Sequence, residues 1–191
     1  VAITRLKTSS IIEGFPKSKS ILTGNDAIFA GSYESIQTVT VGSGGTSTLT
    51  FSSIPSTYTH LQVRSLAKNS TTTNVWMRIN SDTGANYATH YLNGDGSSAS
   101  ASNYINQGDG IFYGYNTGLQ SSTAVLDLLD YANTNKFKTT RSLTGFDANG
   151  SGQLYLWSGL WRSTAAVNSL TIYSQGGTFT EYSSFALYGI K

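Results

Sequence analysis

Acid–base or nucleophilic chemistry needs a base, a nucleophile and a group that holds developing charge, all within reach of one another. This chain has few residues to supply them. It contains two histidines, His60 and His90, and no cysteine. His60 opens a strand-like run, "THLQVRSLA" (59–67), and His90 sits in an aromatic one, "YATHYL" (87–92). Such contexts are more often those of partly buried structural histidines than of a catalytic base. Asp82, Asp95 and Asp109 lie in "NSDTG", "NGDG" and "QGDG". Loops that wrap Asp and Asn oxygens around glycine can hold calcium, but the spacing is not that of an EF-hand, and Asp beside Gly is ordinary tight-turn chemistry. Asp127 and Asp130, in "LDLLDY", would have to face one sugar to act as a glycosidase pair. Three residues apart on a strand, they point to opposite faces. There is no HExxH, P-loop or GxSxG, and "GSGG" (42–45) and "NGSG" (149–152) read as turns. The tripeptides beginning at Asn69 and Asn149 are glycosylation acceptors that a Ser/Thr-rich chain carries by chance. The sequence therefore offers no catalytic residue, no metal site and no cofactor.

Any function must rest on surfaces, so the elements that shape them come next. Only 12% of the 191 residues are charged, while Gly, Ser, Thr, Asn and Tyr abound and there are only two prolines. That profile favours strands joined by polar turns. From about Tyr33 onward, short β-branched and aromatic runs alternate with clusters of Gly, Ser, Asn and Asp. "SIQTVTV" (35–41) and "TSTLTF" (46–51) read as a hairpin around the glycines between them. Further strands are expected at 59–67, 74–80, 87–92, 110–115, 123–131, 137–146, 153–161, 168–174 and 183–191. Many alternate with period two, which gives a core face and an outer face. In "QLYLWSGLW" (153–161) both sets are apolar, Tyr155, Trp157 and Trp161 against Leu154 and Leu156, so that strand is expected to be covered on both sides. So many antiparallel strands must stack as two sheets or close as a barrel. The expected fold is an all-β, jelly-roll-like antiparallel sandwich over residues 33–191, with the last strand beside the first and Phe185, Leu187 and Ile190 buried. Residues 80–110 are polar and rich in small side chains, with one short strand, and read as a surface insertion or partner-contacting loop. Near it, Tyr104, Phe112, Tyr113 and Tyr115 are candidates for a protein interface or a glycan-stacking surface.

Residues 1–32 differ from the rest. Arg5, Lys7, Lys17 and Lys19 stand there against Glu13 and Asp26, with no sustained periodicity. Alone, such a segment is expected to stay unfolded and to order against a neighbour. The net charge of +2 is too small to argue for nucleic acid as the ligand. No apolar run of about 18 residues is present to cross a bilayer, nor is there a signal-peptide core, and synthesis in the cytoplasm is expected.

Several stretches carry a resemblance: "ITRLKTSSIIEGFPKSKSIL" at the start, "SYESIQTVTVGSGGTSTLTFSSIPSTYTHLQVRSLAK" in the first third, and "DLLDYANTNKFKT" with "SGLWRSTAAVNSLTIYS" and "EYSSFALYGIK" towards the end. With these the chain resembles tailed-bacteriophage virion structural proteins of the capsid decoration (cement) or tail-associated type. The resemblance implies a non-enzymatic protein on the capsid surface of a virion assembled in the host cytoplasm. Its implied partners are the major capsid protein and further copies of itself, as a trimer or dimer, with no nucleic acid or membrane. In that setting residues 1–32 become an anchoring arm. Ile3, Leu6, Ile11, Ile12 and Phe15 would supply apolar contacts, and Arg5, Lys7, Lys17 and Lys19 would meet an acidic shell surface. The alternative implied role is a tail or fibre module that recognises host glycan.

Overall fold

The structure, a computed structural model, describes residues 32–116 and 118–191. The anchoring arm expected over residues 1–32 lies outside the described residues, save Ser32. The described residues contain no helix and form twelve strands. They are β1 (Tyr33–Thr40), β2 (Thr48–Phe51), β3 (His60–Ala67), β4 (Thr73–Ile79), β5 (Tyr87–Gly94), β6 (Ala99–Gln107), β7 (Ile111–Asn116), β8 (Ser122–Leu129), β9 (Lys138–Asp147), β10 (Gly152–Trp161), β11 (Leu170–Ser174) and β12 (Ser184–Ile190). Every pairing is antiparallel, in an eight-stranded sheet β1-β12-β3-β8-β9-β10-β5-β6 and a four-stranded sheet β2-β11-β4-β7.

With the hairpins β5–β6 and β9–β10 set aside, the chain alternates between sheets at every step. Four strands, β1-β12-β3-β8, then oppose four, β2-β11-β4-β7, which is the winding of a jelly roll. The two hairpins both join the large sheet beyond β8 and double its width. Alternation sets the core: β8 reads buried-exposed from Ser122 to Leu129, and β9 does the same from Lys138 to Leu143. Phe51, Leu61, Val63, Met77, Ile79, Leu126, Leu170 and Ile172 are wholly buried between the sheets, each stabilising the fold by about 1.5–3 kcal/mol relative to exposure.

The closing strand lies between β1 and β3, as expected from the sequence, with Phe185 and Leu187 fully buried. Ile190 is half-buried, because the same alternation turns it outward with Ala186 and Tyr188. The glycines at 42–45 do not close a hairpin. β1 pairs with β12 and β2 with β11. Val41 still follows β12, its N–H donating to Ser183 O (2.8 Å) and its carbonyl accepting from Tyr182 N–H (2.9 Å), before the chain crosses to the other sheet. Gly44 and Gly45 take the corner at φ of 89° and 71°, and a Cβ on Gly45 would fall 2.6 Å from Phe179 O. The polar stretch 80–110 is less of a loop than its composition suggests, since "ASASNYINQ" within it is β6, the edge of the large sheet. The strand β10 is covered on one side only: Tyr155, Trp157 and Trp161 are buried, whereas Leu154 and Leu156 face solvent.

Candidate functional site

The aromatic candidates divide between two places. Tyr104, Phe112 and Tyr115 join Trp76, Tyr91, Tyr155, Trp157 and Tyr173 in a second cluster beside the main core. Trp76 alternates with Val75 and Met77 of the main core, so it points from the opposite side of β4. The strands β10, β5 and β6 therefore reach past the edge strand β7, and aromatic rings fill the space. Phe112 is sandwiched there, stacked on Trp157 (4.0 Å between ring centres, 7° between planes) and tilted against Trp76 (4.3 Å). Tyr104 lies 5.7 Å from Phe112, and Tyr155 stacks on Trp157 at 5.0 Å. Tyr113 belongs to the main core instead, its hydroxyl donating to Ser65 Oγ (2.8 Å) and its ionisation pushed up by burial. A register irregularity between Val75 and Trp76 leaves Tyr113 without a cross-strand partner. Phe112 and Tyr113, each 2% exposed, thus present no ring face to a ligand. Tyr104 and Tyr115 remain at the rim of the cluster, beside Tyr91 and Tyr155.

The titratable candidates are occupied locally. Asp95 accepts from the N–H groups of Ser97 (2.9 Å) and Ser98 (2.7 Å), which hold its carboxyl well below the usual carboxylate range. Burial pushes the carboxyl of Asp82 up, but donation from Trp161 Nε1 (2.7 Å), Asn86 and Gly84 N–H outweighs it and leaves the group below its ordinary value. Both residues act as turn anchors. Asp109 lies 3.8 Å from Arg78 and accepts through its backbone carbonyl from Tyr173 Oη (2.7 Å). Asp127 accepts from Gln62 Nε2 (2.7 Å) and lies 3.7 Å from Arg141. Asp130 stands just past the end of β8 at a φ of 48°, paired with Lys136, and its N–H donates to His60 Nδ1 (3.0 Å). His90 is exposed on β5 rather than partly buried. Among the described residues, no three His, Asp or Glu side chains gather in a way that could hold a metal ion.

The feature that sequence reasoning missed is the outer face of the large sheet. Its registers bring Val125 opposite Leu143, Leu143 opposite Leu156, and Leu156 opposite Leu92. Four apolar side chains from β8, β9, β10 and β5 therefore form one unbroken row across the sheet. Leu154 lies two residues along from Leu156, and Leu66 on β3 is paired with Thr123, two residues from Val125. These six side chains are 39–58% exposed, and Ala101 on β6 continues the row to the sheet edge. A second row runs alongside: Gln62, Asp127, Arg141, Ser158, His90 and Asn103. At the other flank a groove of about 740 Å³ opens over Thr123, Gly145 and Gly94, where small residues leave the sheet surface low beside Leu154. Exposed apolar side chains scattered singly are normal, but six aligned on one face make a continuous apolar patch, which is a candidate interaction surface. Cross-strand register is its only source, since no two members of the row proper are neighbours in sequence. Compared with family models, curated proteins and solved structures, the chain matches none.

Proposed function

We propose that this chain is a non-enzymatic structural protein of a tailed-phage virion, a decoration protein that binds and stabilises the capsid shell with the major capsid protein as its partner. The observation that carries the reading is the apolar row on the outer face, Val125, Leu143, Leu156 and Leu92, flanked by Leu66 and Leu154. Removing such a face from water is worth about 25 cal/mol per Å², which suits a subunit of a protein assembly, while contact with the shell itself falls to residues 1–32. The resemblance of the sequence to virion proteins supplies the kind of assembly. The anchoring arm of residues 1–32 remains part of the proposal.

Cosedimentation with undecorated shells tests it. The full chain is expected to pellet with shells to saturation. A chain of residues 33–191 should keep its melting temperature, because the strands among the described residues begin at Tyr33, yet bind much more weakly. Exchange of Arg5, Lys7, Lys17 and Lys19 for Gln should weaken binding less, and chiefly at low salt, since exposed charge pairs contribute about 0–1 kcal/mol each and are screened within about 10 Å at 0.1 M. Full occupancy by the truncated chain would overturn the arm, and no binding by the full chain would overturn the shell. The tyrosines at the rim of the aromatic cluster favour the second reading, a tail module for host glycan, in which purified protein would bind host surface polysaccharide and not shells.

A further inference from the structure

We propose that the outer face of the eight-stranded sheet pairs with the same face of a second copy of this chain, about a two-fold axis that runs along the strands between β9 and β10. The inference rests on the reading that this face is built to be covered by protein, and it names the protein. A two-fold interface must be self-complementary, and the register meets that condition. Rotation about this axis exchanges β9 with β10, β8 with β5, and β3 with β6. Leu143 then meets the partner's Leu156, and Val125 meets the partner's Leu92, so the whole row finds apolar contacts. In the neighbouring row Asp127 meets the partner's His90 and Arg141 meets the partner's Ser158, so no charge faces its like. Arg64, which stands in line with the row on β3, falls over the partner's Ala101, where a small side chain leaves room for a guanidinium. An axis one strand to the side, between β8 and β9, would instead press Arg64 onto the partner's Leu156.

The extent is sufficient as well. Six strands about 4.8 Å apart, each of eight to ten residues at about 3.3 Å, span a face of roughly 24 by 26–33 Å. Closed against its copy, a face of that size buries roughly the 800 Å² per partner of a standard interface. Its six half-exposed apolar side chains form a core of roughly 500 Å², at the upper end of what monomers leave open. Sheets packed in this way lie about 10 Å apart with strands nearly aligned, so the pairing needs no rearrangement of either copy.

Sedimentation velocity of the full chain between 1 and 100 μM should show a dimer. The double variant Leu143→Arg with Leu156→Arg should raise its dissociation constant by at least about 100-fold with an unchanged circular dichroism spectrum, whereas Tyr182→Arg, exposed in the turn before β12 and off this face, should not. Because the chain has no cysteine, crosslinking can fix the axis. Val125→Cys together with Leu92→Cys should crosslink between copies through a short bismaleimide, because sheets about 10 Å apart hold facing Cα atoms too far for a direct disulfide, while Val125→Cys alone should not. Two copies of the single variant's thiol stand three strand spacings to the side, about 14 Å, too far for that linker. A chain monomeric at 100 μM, a dimer indifferent to the arginine pair, or efficient crosslinking by the single variant would each overturn the pairing. A monomer that still decorates shells would overturn it and leave the virion reading standing, and a dimer that binds no shell would do the reverse.

Discussion

Gly189→Ala is a small change with a large expected cost. Gly189 lies on the buried face of β12, and a Cβ placed there would fall 2.3–2.4 Å from Cγ, Cδ1 and Cδ2 of Tyr58, beneath the face of the ring. Carbon atoms rest about 3.5–4.0 Å apart, so the ring must withdraw by roughly 1.1–1.7 Å or β12 must bend. Neither response is free. Tyr58 is tied at both ends, its hydroxyl donating to Glu34 Oε2 (3.0 Å) and its N–H to Tyr131 Oη (3.4 Å), and β12 is paired on both sides. Overpacking costs about 1–3 kcal/mol and a displaced hydrogen bond to a carboxylate about 1.5–3 when buried. The pair is only part-buried, so about 2–4 kcal/mol in all is expected. For a domain of this size that lowers the melting temperature by roughly 4–16 °C. Thermal and urea unfolding followed by circular dichroism measure it, and a cycle with Tyr58→Ala isolates the cause. Once the ring is gone, Gly189→Ala should cost less than about 0.5 kcal/mol. A single variant within 0.5 kcal/mol of the parent, or the same loss with and without Tyr58, would refute the reasoning.

Lys138→Met should destabilise the domain by about 2–4 kcal/mol, read from urea midpoints. The buried ammonium donates to the carbonyls of Asn133 (2.5 Å), Lys136 (3.0 Å) and Thr164 (3.2 Å), and the thioether leaves all three without a donor. An unchanged midpoint would show that water replaces it. Alkaline pH should unfold the protein through its buried phenols. Burial pushes Tyr87 and Tyr155 up from 10.0 to about 12, so between these values the folded chain keeps protons that the unfolded chain loses. Stability is therefore full below pH 10 and falls as pH rises to 12, by about 2–3 kcal/mol for each such tyrosine. Tyrosinate absorbance at pH 11 should appear together with loss of the circular dichroism signal; smooth titration of all tyrosines in a folded chain would contradict this.

The sequence discloses what is local. β-Branched and aromatic runs between turn residues mark eleven of the twelve strands, many of them alternating with period two, and alternation in the last run puts Phe185 and Leu187 in the core. The strand β6 escapes because Ala, Ser and Asn carry no strand signature, and it is held by pairing with β5 rather than by propensity. The glycines at 42–45 mark a sharp change of direction, but the same residues serve a hairpin and a crossover between sheets, and only the distant partners β11 and β12 distinguish them. Leu154 and Leu156 alternate with Tyr155 and Trp157, so the run looks doubly buried, and nothing within it tells a covered apolar face from an open one. The row from Val125 to Leu92 depends on three registers set by distant segments, so the candidate interaction surface is a property of the fold that no single stretch contains.

The number of copies of this chain per virion tests the virion role most directly, measured by quantitative mass spectrometry of purified particles against the major capsid protein. A decoration protein that reinforces the shell repeats with its symmetry, so hundreds of copies per particle are predicted. A few to a few dozen copies, the stoichiometry of a tail, or none at all would contradict it.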